Sequence, residues 1–196
     1  DENWHDLGAM EFDYDVDVDF AKALATRAEG EGFQTKLIDY EGFPVDTGTI
    51  VADRFLNPGK RQTGMISSCV YSDLNETKKL AQTLAAQIEE DGVPTAVAIV
   101  SLLSARYFTT AIDAREDHVR DPEDDRWNQR ILDLWEEGKH DQVERLAGEY
   151  AQAARVDMGF KGLGVLQGLG VKGAGRKLAY GPIYGTGAAV VEFPCN

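Results

Sequence analysis

Cysteine is almost absent: Cys69 and Cys195 are the only two in 196 residues. Two cysteines make no disulfide framework, so stability has to come from a buried core, and a reduced, cytoplasmic setting is expected. Histidine is nearly as scarce, with His5, His118 and His140 far apart along the chain. Metal ligands need convergent spacing, so each of the three reads as a surface or loop residue. Basic charge is also short. Twenty Lys and Arg face 34 Asp and Glu, for a net charge of −14, and no basic stripe is left to neutralise phosphates. That excludes nucleic acid and anionic membranes as partners. No apolar run approaches the roughly 18 to 20 residues that a membrane-spanning helix needs. There is no initiator Met and no basic-then-apolar leader, so no signal peptide is expected. Residues 1–5 read like the inside of a loop, so the numbered chain is expected to be the later part of something longer. Internal repeats, linkers and low-complexity tracts are absent.

What is present is 43% hydrophobic residues, enough for one good core and one compact α/β domain over residues 1–196. The expected architecture is a central, mostly parallel or mixed sheet flanked by helices. The stretch that organises it is residues 93–112. Its first half, residues 97–103, is the longest nearly unbroken apolar run and predicts a strand buried on both faces. Chemistry in such sheets gathers beyond the carboxyl ends of the strands, here at Leu103, Ser104, Ala105 and Arg106. That loop offers a hydroxyl, a methyl and a guanidinium, with no acid, base or metal ligand.

Around it the spacing predicts a helix carrying Phe20, Leu24 and Ala28, stopped by Gly30 and Gly32. A short strand over 35–38 follows, then a helix from Asp46 or Thr47 to Phe55, a turn at Asn57, Pro58 and Gly59, and a strand over 64–70. Asp73 or Asn75 caps a helix with Leu80, Leu84, Ala85 and Ile88 on one side. Asp121 and Pro122 open another, with acids at its positive end and a stripe of Trp127, Ile131, Leu134 and Trp135. One of those tryptophans is assigned to the core, and the other is offered to a partner chain. A helix over about 141–154, a glycine-weakened one over 160–169, and closing strands over 174–180 and 188–193 complete the chain.

Several constellations invite function. Gly168-Leu169-Gly170-Val171-Lys172-Gly173 matches the dinucleotide fingerprint by letter, yet it neither follows a strand nor opens a helix, and is rejected. Ser104 has no neighbouring base to activate it. Cys69 reads as a small buried residue. Arg106, Arg155 and Lys161 could serve an anionic ligand, and Tyr40, Tyr107 and Tyr184 could line an aromatic pocket. The same side chains could equally pair with the abundant carboxylates and pack as amphipathic surface.

Four segments, residues 1–8, 40–49, 154–161 and 180–189, together resemble the class III extradiol ring-cleavage dioxygenases (LigB-like). Within them the chain is most similar to the α, non-catalytic subunit of the 2-aminophenol 1,6-dioxygenase type. The resemblance implies an Fe(II) site of two histidines and a glutamate, with a further histidine as acid/base. It places the iron histidines before the region matching Asp1, the acid/base at Ala105, and the glutamate near Phe160 and Lys161, while Tyr40 matches a tyrosine near substrate. It therefore implies a chain that binds no metal and has no catalytic residue of its own. Tyr40, Ser104, Ala105, Arg106, Lys161 and Tyr184 are the pocket-lining candidates. Fe(II) belongs to a homologous catalytic partner subunit, and a small aromatic ligand is possible. The alternatives are the C-terminal part of an active Fe(II) dioxygenase, and a stand-alone binding protein for small aromatic metabolites.

Overall fold

The computed structural model describes residues 12–13, 15–40, 45–67 and 71–194. His5, Cys69, Cys195 and the motif segments 1–8 and 41–44 lie outside the described residues. The chain is a mixed α/β protein whose contacts divide it into two compact units, residues 1–67 and 68–196.

In the first unit, Asp17 starts α1 (Val18–Gly30) by accepting the Phe20 N–H at 2.9 Å, and Leu24 and Ala28 supply the buried side. α2 (Thr47–Leu56) is capped by Asp46, which accepts both the backbone N–H (2.9 Å) and the hydroxyl (2.6 Å) of Thr49. The turn after α2 closes on Asn57. Its amide donates to Asp53 and to the Arg61 carbonyl, and its oxygen accepts the Arg61 N–H, each at 2.8 Å. Val16 and Thr63 form one isolated parallel bridge.

In the second unit α3 (Leu74–Asp91) opens with a reciprocal capping box of Asp73 and Glu76 and ends at Gly92 in the left-handed conformation. α4 (Pro122–Glu136) begins at Asp121, with Pro122 and three acids in its first turn. α5 (His140–Ala153) packs against it, and α6 (Lys161–Gly168) lies along α3. β1 (Arg176–Ile183) and β2 (Thr186–Glu192) form an antiparallel hairpin. Tyr184 and Gly185, with φ of 54° and 89°, make its two-residue turn, the backbone twist such hairpins require. The core is built from Ile131, Leu132, Val143, Tyr150, Ala154 and Leu163, none more than 1% exposed. Trp127 and Trp135 belong to the same cluster at 8% and 6%, so both tryptophans serve this chain's own interior and neither is offered to a partner.

The expected central sheet is the main correction. Among the described residues the only sheet is the two-stranded hairpin, and residues 35–38, 64–67 and 97–103 join no ladder. The expectation of burial on both faces also fails, because Val97, Ile99 and Val100 are 39%, 36% and 59% exposed. An apolar run signals a preference for extended backbone, but a strand exists only where a second strand takes up its N–H and C=O groups. The helices were predicted closely because their hydrogen bonds are internal to the segment. Among the described residues no helix is long and apolar enough to cross a membrane.

α6 can approach α3 because small residues face it. A side chain at Gly164 would place its Cβ 2.8 Å from the Leu74 carbonyl, and one at Gly168 would overlap Ala81 and the Lys78 carbonyl. Gly168→Val should therefore force the two helices apart and cost about 1 to 3 kcal/mol or more. Gly162→Ala meets only Ile99 at 3.4 Å and should stay within about 1 kcal/mol of the parent. Urea unfolding of both variants checks the contrast, and equal losses would contradict the packing described.

Candidate functional site

The loop that follows the apolar run is tied on several sides within the second unit. Leu103 donates its N–H to the Gly187 carbonyl at 2.9 Å, and its carbonyl accepts the Asp157 N–H at 3.1 Å. The Gly187 N–H donates to Ser104, to the carbonyl at 3.1 Å and to Oγ at 3.0 Å. One turn earlier, the Asp157 carboxylate accepts from Ser101 Oγ (3.0 Å) and the Leu102 N–H (3.3 Å). These bonds hold a strained neighbour in place. Arg155, Met158 and Phe160 all have positive φ, at 47°, 51° and 66°, a conformation that costs non-glycine residues on the order of 1 kcal/mol or more each.

Beneath the loop lies a buried polar network. Ser104 is fully buried, and its Oγ accepts from Asn128 Nδ2 at 2.8 Å. The same amide donates to Tyr180 OH at 3.2 Å, and Asn128 Oδ1 accepts from Tyr150 OH at 2.7 Å. Tyr180 OH in turn donates to Asp125 at 2.5 Å. Both phenols are pushed upward. Burial is the main cause for each, followed by Tyr180 and Asp124 for Tyr150, and by the Asp125 bond for Tyr180. Each therefore remains a protonated donor at any ordinary pH. A side chain at Gly187 would overlap the Asn128 amide, so the hairpin backbone must come this close to be bonded.

Arg106 forms the second anchor. It pairs through Nη1 with Asp124 and donates from Nη2 to the Ala153 carbonyl at 2.7 Å, which finishes α5; Asp121 lies 3.8 Å away. Asp124 is fully buried, and one of its oxygens, Oδ2, has no hydrogen-bond partner among the described residues. Burial raises its carboxyl above the usual range, while the bond to Arg106 and that residue's charge pull it back.

The predicted site residues fall as follows. Ser104 is the closed centre of the network, and Ala105 is half-buried between the two anchors. Arg106 is committed to Asp124. Lys161 begins α6 and is half-buried. Phe160 is a core residue, 5% exposed, with its ring 5.0 Å from Tyr150 and 5.8 Å from Trp135. Tyr184 is 42% exposed on the hairpin turn and donates to the Thr110 carbonyl at 2.9 Å. Tyr40 belongs to the first unit and is 70% exposed. The Gly168–Gly173 match runs from the end of α6 into a loop, as its rejection as a dinucleotide site requires. A cavity of about 320 Å³ beside the start of α5, lined by Lys139, His140, Arg145 and Lys172 among others, includes none of the six candidates. His118 and His140 bond the Glu116 and Gly173 carbonyls. No group of three His, Cys, Asp or Glu able to hold a metal is found among the described residues.

Asn128 and Tyr150 were not singled out by sequence reasoning, and Asp124 and Tyr180 entered it only as part of a helix-start acid cluster and a family segment, although two of the four carried a signal. Asp124 and Asn128 continue the Ile131 and Trp135 spacing, so they are polar residues on a buried helical face, where a hydrogen-bonded partner is required.

The sequence that builds this loop and hairpin matches a known family. The family model for the catalytic LigB subunit of aromatic ring-opening dioxygenase matches residues 1–193, and the chain belongs to that family. It is 42% identical to a 2-aminophenol 1,6-dioxygenase alpha subunit of Pseudomonas sp, over 98% of this chain and 73% of that protein. A 3,4-dihydroxyphenylacetate 2,3-dioxygenase of Escherichia coli is 23% identical over 75% of this chain and 54% of its own length.

Removing Arg106 should expose the cost of the buried carboxylate. Arg106→Met leaves Asp124 without its hydrogen-bonded partner, with only the more distant charge of Arg155, a loss of about 3 to 5 kcal/mol at neutral pH. Its carboxyl, already raised in the folded state, rises further once both lowering effects of Arg106 are gone. A raised folded value means the penalty is fully present above it and fades as pH falls toward the unfolded value near 3.9. Unfolding measured from pH 7 to 4 should show the gap to the parent shrinking; a constant gap would contradict this role. Asn128→Leu should cost about 1 to 3 kcal/mol by leaving the buried Tyr150 hydroxyl unpaired, and Tyr150→Phe added to it should recover part of that loss in the same assay.

Proposed function

We propose that this chain is the α-type, non-catalytic component of a heteromeric extradiol dioxygenase that opens an aromatic ring of the 2-aminophenol class. Fe(II) then belongs to a homologous catalytic subunit, and the assembly is cytoplasmic. The observation that carries the reading is the chemistry at the two places where the family resemblance expects function. Ala105 offers a methyl group where an acid/base histidine is expected. At the expected glutamate, Phe160 is packed into the aromatic core and Lys161 brings a cation. The residues present do not fit a ferrous site, because that ion needs imidazole and carboxylate donors. The buried carboxylate nearby, Asp124, is already paired with Arg106. The 42% identity to a protein named as an alpha subunit supports the same reading.

The rival reading is that this chain is the C-terminal part of an active Fe(II) dioxygenase, and it draws on the word catalytic in the family description. Metal analysis separates the two. The full-length protein, loaded anaerobically with Fe(II), should retain no stoichiometric iron and release no ring-opened product from 2-aminophenol or a catechol. Co-expression with a homologous catalytic subunit should give a co-purifying complex that has both. Stoichiometric iron together with turnover in the chain alone would overturn the proposal.

Ala105→His is the sharper variant. Metal ligands and acid/base act as a unit, so restoring one alone should give no turnover. Measurable product from the single substitution would mean that a working metal site exists elsewhere in the chain.

A further inference from the structure

We draw no further inference here: the strongest candidate, the uncharged apolar run over residues 93–100 of the second unit with Val97, Ile99 and Val100 exposed, is an unpartnered face, and nothing in the structure shows what covers it.

Discussion

The Asn128 side chain sets the arrangement of the second unit's interior. It is a fully buried amide with three bonds, to Ser104, Tyr150 and Tyr180. A polar group in that position costs several kcal/mol unless its partners are in place, so the partners are constrained as strongly as the amide. Ser104 fixes the loop, Tyr150 fixes the last turn of α5, and Tyr180 fixes β1. Gly187, which donates to the same Ser104 hydroxyl, draws β2 in as well. Apolar packing around Ile131 and Leu163 supplies the driving force but is tolerant of register. The amide is not, and through it four separate segments acquire one relative geometry.

Arg106 extends that constraint toward the surface. Its guanidinium joins a helix start, through Asp124, to a helix end, through the Ala153 carbonyl. A planar fork can hold two acceptors at fixed angles where a lysine could not. With Ser104 anchored on one side and Arg106 on the other, the backbone at Ala105 has little freedom. The position stays presented in a defined place whatever side chain it carries.

Much of the helical framework was legible in the sequence. Asp46, Asp73 and Asp121 act as caps at positions the sequence offered, Asp17 caps α1 without having been read as a cap, and the stripe from Trp127 to Trp135 faces the core. Such features are decided within one or two turns of chain. The hairpin was legible in position but read short. Its turn falls at Tyr184 and Gly185, inside a glycine-rich segment that looked like a connection. The central sheet was read from residues 35–38, 64–70 and 97–103, each of which only states a preference that a distant partner must complete. Pairing of that kind has no local signature. At the candidate site the loop itself was found from the apolar run, while its supporting network was not. Tyr150 and Tyr180 look like ordinary amphipathic residues until the fold brings their hydroxyls to Asn128 and Asp125.

The same separation bears on the proposed role. Among the described residues, the hydrogen bonds and ion pairs described above that hold the loop run through Ser104, Arg106, Asn128, Asp124, Asp157, the Ala153 carbonyl and the hairpin backbone. None of those contacts involves the side chain of Ala105, and Phe160 contributes by meeting Tyr150 edge-to-face and Trp135 at a tilt. Under the proposed role, a methyl group at position 105 in place of an acid/base residue removes chemistry without touching any of these bonds. Placing an aromatic ring at 160 adds apolar burial where a carboxylate would have needed its own partners. On these terms a scaffold can lose its catalytic groups at no cost in stability, and can gain a little core at one of them. Under the proposed role, a subunit without catalytic groups at these two positions is then a physically inexpensive outcome, provided that a partner carries the metal.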